Sequence, residues 1–138
     1  MAPNSRKLIV TRMDGPDDSS SAGRELPSWA DIEQTIRRLD GKTCTLLILG
    51  IGPAPVPHMA IGGGEDGKYI VYSTSDNRIF QNLLDPKAPA GKCSLVAGGQ
   101  RGDYDLRICV GLPAALRAAR TYAETGENDA TLSWEIQR

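Results

Sequence analysis

The sequence has 138 residues and a formal net charge of −1, with 24% charged residues. That length is typical of one domain that buries roughly two-thirds of its unfolded surface in a single core. The near-neutral charge argues against a nucleic-acid binder held by a positive field, and no apolar run approaches the roughly 18 residues of a membrane helix. The first residues lack the charged-then-apolar order of an export signal, so we expect a cytoplasmic protein without a membrane anchor.

The chain opens with a predicted strand, Arg6–Arg12, and continues into a polar stretch, Asp14–Gly23, that is rich in glycine, aspartate and serine. Such a composition has almost nothing to bury, so we expect an exposed, mobile loop there. We therefore separate residues 1–24, as an N-terminal strand and mobile loop, from an α+β domain over residues 25–138.

The first predicted helix begins at Ser28, whose hydroxyl suits the N-cap position, with Asp31 placed to return the bond as in a capping box. One face of this helix is apolar at helical spacing: Trp29, Ile32, Ile36 and Leu39. Asp40-Gly41 ends the helix, because both residue types favour turns.

The next segments predict the first part of a sheet. Thr43–Leu49 is apolar on both faces and predicts a strand in the interior of the sheet. Three prolines at alternate positions in Gly50–Pro57 exclude a paired central strand, so we expect an extended, exposed loop. A hairpin follows, in which His58–Ile61 and Tyr69–Ser73 flank the turn residues Glu65-Asp66-Gly67.

The segment Asn77–Leu84 places Ile79 and Leu83 four residues apart, with Phe80 beside them. This spacing is that of one helical face. Asp85-Pro86 would end such an element, because proline cannot continue a helix. We therefore predict a short helix over this segment that turns its apolar side chains inward.

A second hairpin is predicted from the runs Cys93–Ala97 and Asp105–Val110, which flank the turn Gly98–Gly102. Glycine-rich loops can also hold phosphates, and Gly62–Gly64 is a further run of this kind. Neither run matches the Gly-x-x-x-x-Gly-Lys-Ser/Thr pattern, and neither opens directly into a helix. We interpret both as hairpin turns rather than nucleotide sites.

The last helix begins at Leu112-Pro113, since proline at the first helical position loses no useful donor. Good helix formers continue to Gly126, which is the expected left-handed cap. The apolar stripe of this helix comprises Leu116, Ala119, Tyr122 and Ala123.

The last predicted strand is Ala130–Ile136, whose alternate side chains Leu132, Trp134 and Ile136 we expect to face the core. Hairpin connections between most elements predict an α+β fold, a mainly antiparallel sheet of about six to seven strands with two main helices packed on one face. The residues expected in the core are Trp29, Ile32, Ile36, Leu116, Tyr122, Leu132 and Trp134.

The sequence contains no recognisable catalytic or metal-binding set. Cys44, Cys93 and Cys109 are odd in number and scattered through apolar runs, which is typical of reduced, structural thiols. The single histidine, His58, has no cysteine or histidine at metal-ligand spacing, and only it could activate a nucleophilic cysteine. We therefore expect no catalytic residue, no metal and no cofactor, and hence a protein that is not an enzyme.

The end of the chain combines an alanine-rich helix, a Thr-Gly turn with polar residues, and a closing Leu-x-Trp-Glu. The residues concerned are Ala115, Ala118, Ala119, Thr125-Gly126, Leu132, Trp134 and Glu135. This pattern resembles the bacterial polymorphic-toxin immunity proteins that accompany deaminase-fold toxins, among them the inhibitors of double-stranded-DNA deaminases. Ile70-Val71-Tyr72 and Gly98-Gly99 fit the same family, so that the resemblance extends over residues 58–138.

The resemblance implies an immunity protein that binds a cognate toxin and occludes its active site or substrate cleft, without contacting nucleic acid itself. A toxin that handles nucleic acid needs a basic cleft, so its inhibitor should present carboxylates. The expected partner-binding residues are Glu65, Asp66, Asp76, Asp103 and Asp105, and Glu127 and Asp129 are further loop carboxylates.

We further expect the two glycine-rich hairpins to present Glu65, Asp66, Asp103 and Asp105 along one edge of the molecule. Two other functions remain open from the residues alone. One is an interaction or scaffold module of the same fold that has no toxin partner. The other is an enzyme or a small-molecule-binding protein whose site the sequence does not reveal.

Overall fold

The computed structural model describes residues 9–13, 28–51 and 57–137. Its elements in chain order are β1 (Ile9–Met13), α1 (Trp29–Arg37), β2 (Leu46–Ile51), β3 (His58–Gly63), β4 (Tyr69–Thr74), β5 (Phe80–Leu84), β6 (Lys92–Ala97), β7 (Gln100–Asp105), α2 (Leu112–Thr125) and β8 (Ser133–Gln137). The predicted loop Asp14–Gly23, the boundary proposed at residue 24 and most of the predicted loop Gly50–Pro57 lie outside the described residues. Neither of the two helices above is long and apolar enough to cross a membrane.

Six strands form one antiparallel sheet, the main sheet, in the order β1-β2-β3-β4-β5-β8. β6 and β7 pair only with each other within the described residues and form a separate two-stranded ribbon. β2 lies between β1 and β3, as expected for an interior strand. The predicted α+β class with a mainly antiparallel sheet is confirmed.

One face of the main sheet carries the hydrophobic core. Leu47, Ile61 and Val71 lie opposite one another across β2, β3 and β4, and each is at most 2% exposed. Both helices pack on this face and contribute Ile32, Ile36, Ala115, Ala118, Ala119 and Tyr122 to the same cluster. The alanines lack bulk, so α2 can lie close to the sheet. Four residues expected in the core pack against this cluster but are only partly buried: Trp29, Leu116, Leu132 and Trp134.

The helix ends follow the local sequence signals. Ser28 Oγ accepts from Asp31 N at 3.1 Å, and Asp31 Oδ2 accepts from Ser28 N at 3.3 Å, which confirms the predicted capping box. Gly126 caps α2 at a left-handed φ of 76°, which glycine adopts without steric cost. The Arg120 guanidinium lies 5.6 Å from the ring centre of Trp29 and so links the two helices.

The ribbon packs against the opposite face of the main sheet, at the end of β3. A Cβ on Gly62 would lie 2.8 Å from Ala97 Cβ, so only glycine allows this approach. The ribbon turns at Gly98-Gly99, both with positive φ, as a tight hairpin turn requires. The predicted hairpin is confirmed, but the predicted position of its return strand, Asp105–Val110, is wrong. β7 already begins at Gln100, because the two-glycine turn reverses the chain at once.

The helix predicted over Asn77–Leu84 is wrong, because this segment forms a tight turn followed by β5. Side chains close the turn: Thr74 Oγ1 accepts from Asn77 N, and Asp76 Oδ1 accepts from Ile79 N. β5 then pairs with β4 on one side and with β8 on the other. Backbone pairing on both sides outweighs the weak helical spacing of two apolar residues.

The last strand starts later than expected and faces the core only in part. A turn at Asp129 places the start of β8 at Ser133. Trp134 packs against the core, but Ile136 is 58% exposed, so its predicted inward position is wrong. β8 is the edge strand of the main sheet, and Ile136 lies opposite Gln81, beyond the cover of the core cluster.

Candidate protein-interaction site

The carboxylates predicted to bind a partner lie at two ends of the molecule. Glu65 and Asp66 occupy the 3-10 turn between β3 and β4, while Asp76 lies in the turn between β4 and β5. These turns are separated by the length of β4, roughly 17 Å at the usual rise of a strand. Asp103 and Asp105 lie on β7 of the ribbon. The five residues therefore do not form one patch.

The first of these ends, which we call the hairpin end, combines carboxylates with a cation. Arg101 of the ribbon lies 3.4 Å from Glu65 Oε1 and donates to Ser94 Oγ at 2.9 Å. Asp103 follows two residues along the same face of β7, and Asp66 holds a left-handed φ of 56° in the turn. The two hairpins thus meet, but Arg101 offsets part of the negative charge between them.

Asp105 lies at the far end of β7, away from the hairpin end. Its Oδ1 accepts from Arg107 N at 3.1 Å, so the side chain caps the short 3-10 turn that follows. Across the ribbon it stands opposite Lys92. Asp105 therefore lies four residues along β7 from Arg101, the residue that contacts Glu65.

The second end, which we call the Asp76 end, is built around the β4–β5 turn. Asp76 Oδ1 accepts from the backbone N–H groups of Ile79 and Arg78 at 3.0 and 2.9 Å. These hydrogen bonds hold the pKa of Asp76 below its ordinary value, so the carboxylate is an anion at neutral pH. Asn77 adopts a left-handed φ of 63° and completes the turn.

Beside this turn lies a cavity of about 400 Å³, between the main sheet and the C-terminal end of α2. Its lining comprises Pro57, Ser73, Thr74, Ser75, Asp76, Ile79, Gln81, Tyr122, Gly126, Glu127 and Asn128. Two of these side chains are carboxylic acids, and none of the described lining residues is basic. The cavity has a volume typical of small-ligand or side-chain pockets, which span roughly 300–1,000 Å³.

The backbone of α2 adds to the negative potential there. A helix C-terminus carries a partial negative charge from its unpaired carbonyl groups. Cations usually offset this charge, but the last turn of α2 contains no basic residue. Glu124 lies in that turn and pairs with Arg120 one turn earlier. The cavity at the Asp76 end is thus lined by two carboxylates and no base, although Arg78 of the same turn contributes a positive charge near Asp76.

Asp129 has a different role from the one expected of an exposed loop carboxylate. Its side chain is 11% exposed. Oδ1 accepts from Thr131 N at 2.8 Å and from the Thr131 hydroxyl, while Oδ2 accepts from Thr121 Oγ1 at 2.9 Å. Arg117 Nε lies 3.4 Å from Oδ2, and Trp134 Nε1 donates to the Asp129 carbonyl at 3.0 Å. The carboxylate therefore joins α2 to the start of β8 and is not available to a partner.

The reactive side chains considered in the sequence lie in structural positions. His58 begins β3, is 8% exposed and packs edge-on against Tyr72. Cys44 and Cys109 are buried and Cys93 is half-buried. Burial raises the pKa of the Cys109 thiol to about 12, so it stays protonated. Over the described ranges, no three His, Cys, Asp or Glu side chains group as metal ligands would.

Comparison with known proteins gives one family. The model of the family described as immunity protein Imm1 matches residues 20–135 of the chain. The match spans both helices, the six strands from β2 to β7 and the first three residues of β8. No curated protein matches the chain. The family match confirms the resemblance to immunity proteins found at the end of the sequence.

Proposed function

The chain belongs to the Imm1 family of immunity proteins, and from that premise we propose that it neutralises its cognate toxin by binding it directly. Membership of this family supports an immunity function toward a toxin. The proposal adds the mode of action: the chain occludes the active site or substrate cleft and catalyses nothing itself. It acts in the cytoplasm, where the toxin would reach its target.

The toxin proposed is a deaminase-fold enzyme that acts on nucleic acid. The support is the resemblance of the closing helix and strand, with Thr125-Gly126 and Trp134-Glu135, to inhibitors of such toxins. A cleft that holds nucleic acid is positively charged, because it must bind a phosphate backbone. A negatively charged surface on the inhibitor would meet such a cleft with complementary potential.

We place the docking surface at the Asp76 end, and the observation that carries this choice is the acidic cavity. Asp76 and Glu127 line it without a basic neighbour among the described lining residues. Arg78 acts electrostatically on Asp76 from the same turn but does not line the cavity, whereas at the hairpin end Arg101 forms an ion pair with Glu65. Partner anchors bind best in concave, desolvated positions near the centre of an interface. Of the five carboxylates expected to bind a partner, the proposal thus relies on Asp76.

The test compares two matched double neutralisations in a binding titration with the cognate toxin. Asp76→Asn with Glu127→Gln removes two charges at the Asp76 end, and asparagine can still accept the hydrogen bonds of the turn. Glu65→Gln with Asp66→Asn removes two charges at the hairpin end. We expect the first pair to weaken binding at least tenfold, about 1.4 kcal/mol, and the second to change it less than about threefold.

Salt separates a charge effect from a loss of structure. The Debye length, over which salt screens a charge, is about 8 Å at 0.15 M ionic strength. The association rate of the unaltered chain with the toxin should therefore fall as the salt concentration rises. The Asp76 and Glu127 variant should lose most of that dependence while its thermal melt stays unchanged. Weaker binding of the hairpin-end variant alone would move the interface to Glu65 and Asp66. Absence of any binding by the unaltered chain would refute the proposed function.

A further inference from the structure

We infer that the cavity at the Asp76 end receives the guanidinium group of one arginine side chain of the toxin. This inference rests on the proposed function and names the chemistry by which the same surface would recognise its partner. It depends on three features of the cavity: its charge, its hydrogen-bond acceptors and its apolar rim.

The charge of the cavity selects a cation. Asp76 and Glu127 lie on its two sides, one in the β4–β5 turn and the other in the loop after α2. The C-terminal carbonyl groups of α2 point toward the same loop and add partial negative charge. Because the last turn of α2 has no basic residue of its own, the position that a lysine or arginine often occupies is open to a cation from outside.

The polar lining includes two carboxylates, which only accept, and hydroxyl and amide side chains, which both donate and accept. Asn128 Nδ2 donates to Gln81 Oε1 at 3.0 Å, which uses one of the two N–H groups of the Asn128 amide. Asn128 Oδ1 is buried and accepts no hydrogen bond within the described structure. A buried acceptor without a donor is destabilising, and few such atoms persist in folded proteins. A donor that enters the cavity, with a small rotation of the Asn128 amide, would satisfy it.

The rim suits the aliphatic part of a long basic side chain. Ile79 is 42% exposed and lies at the edge of the cavity, next to Pro57. The methylene groups of an arginine can cover Ile79 while its head group enters the polar interior.

Arginine fits this lining better than lysine. Its guanidinium is planar and presents five N–H donors in fixed directions, which can reach several acceptors around a cavity at once. Ser73, Ser75, Gln81 and Asn128 are distributed around the cavity in this way, with Asp76 as the charged partner. The ammonium group of lysine is more strongly hydrated and offers three donors at one point.

The test uses small probes and the full chain, without the toxin. N-acetyl-arginine methylamide is titrated into the ¹⁵N-labelled chain, and backbone amide shifts are followed by NMR. The matched control is N-acetyl-citrulline methylamide, which has nearly the same shape but no charge, and N-acetyl-lysine methylamide forms a further arm. We expect saturable shifts at Ser75, Asp76, Gly126 and Asn128 with the arginine probe, and an affinity at least about threefold lower for the other two.

Two variants complete the test. Asp76→Asn with Glu127→Gln should weaken arginine-probe binding at least about threefold, because both anions are lost. Asp103→Asn, which removes an exposed carboxylate of the ribbon outside the cavity, should leave it unchanged. Equal shifts with citrulline, shifts located elsewhere, or no saturable shift would each overturn the inference.

The probe experiment can fail independently of the proposed function. If the chain binds and inhibits its toxin but no arginine probe enters the cavity, the proposed function stands and the pocket assignment is wrong. If the probe binds at Asp76 and Asn128 but no toxin is bound, the cavity is a cation site and the proposed function is wrong. Binding of the lysine probe as tightly as the arginine probe would reject the choice of guanidinium.

Discussion

Replacement of Asp129 by asparagine should destabilise the fold, because this carboxylate joins α2 to β8. Its two oxygens accept from Thr131 N, the Thr131 hydroxyl and Thr121 Oγ1, and they lie near the guanidinium of Arg117. An amide in place of the carboxylate would have one oxygen and an NH₂ group that faces a donor and a cation. Glu127→Gln is the control, since it removes a nearby but exposed carboxylate.

The magnitude follows from the titration of Asp129. Hydrogen bonds from the Thr131 hydroxyl, Thr131 N and the Thr121 hydroxyl lower its pKa from 3.8 to about 2. A pKa shift of one unit corresponds to about 1.4 kcal/mol, so the folded state favours the ionised form of Asp129 by roughly 2 kcal/mol. We expect Asp129→Asn to lower the free energy of unfolding by about 2 kcal/mol at pH 7. The melting temperature should fall by roughly 5–10 °C in a domain of this size.

The pH dependence has a defined sign. Because the pKa of Asp129 is lower in the folded state than in the unfolded state, its contribution is complete well above pH 4. The contribution disappears as the pH falls from about 4 toward 2, where both states bind the proton. Asp40, whose pKa is also lowered to about 2 by the backbone N–H groups of Lys42 and Cys44, titrates in the same range. Asp40 is present in both the unaltered chain and Asp129→Asn, so its effect cancels in the difference between their free energies of unfolding.

Urea unfolding of the unaltered chain and of Asp129→Asn at pH 7 and near pH 2.5 measures this difference. We expect a gap of about 2 kcal/mol at pH 7 that narrows strongly at low pH. Equal stability at pH 7 would show that the carboxylate is not a structural link between α2 and β8. A gap that stays constant down to low pH would show that the loss arises from packing and not from the charge.

The remaining predictions concern packing. Trp134→Ala should lower the free energy of unfolding by about 2–3 kcal/mol. This is less than the roughly 3–5 kcal/mol expected for a fully buried tryptophan, because the side chain of Trp134 is half-buried. Ile136→Ala, at a position that is 58% exposed, should change the free energy of unfolding in urea little. Gly62→Ala should cost about 1–3 kcal/mol in the same assay, because its Cβ would lie 2.8 Å from the Cβ of Ala97. Gly111→Ala should cost less, about 0.5 kcal/mol, because its Cβ would come no closer than 3.7 Å to Pro113 and only the preference for glycine at the N-cap of α2 is lost. Equal losses within either pair would contradict the packing described.

The parts of the fold that the sequence predicts correctly depend on contacts between near neighbours. The capping box joins Ser28 to Asp31, three residues away. Gly126 ends α2 through its own left-handed φ, and the Asp66-Gly67 turn needs only two residues that tolerate positive φ. Such signals are complete within one turn of chain, so they can be read without knowledge of the tertiary structure.

The incorrect predictions involve partners that are distant in sequence. β5 is a strand because β8, some fifty residues later, pairs with it, as Leu83 does with Trp134. A window around Ile79 and Leu83 contains only the helical spacing and not this pairing. Ile136 illustrates the same limit, since alternation predicts which side of β8 it faces but not where the helices stop covering the sheet.

The candidate site is predictable from the sequence only in its chemistry. Asp76 is identifiable as a loop carboxylate, because the turn that holds it uses local side chains. The cavity arises because Asn128, after α2, meets Gln81 of β5, and no spacing predicts that contact. The expectation of an exposed Asp129 is wrong for a related reason. Arg117 and Thr121, which contact its carboxylate, precede it by 12 and 8 residues, and its neighbours in the sequence are polar.

The most direct test of the account is a titration of toxin activity. A fixed amount of the cognate toxin, at a concentration well above the dissociation constant, is mixed with increasing amounts of the purified chain, and the activity of the toxin is measured. The account predicts that activity falls linearly and vanishes at an equimolar ratio, as expected for a tight complex that closes the substrate cleft. Full activity in the presence of a large excess of the chain would contradict it.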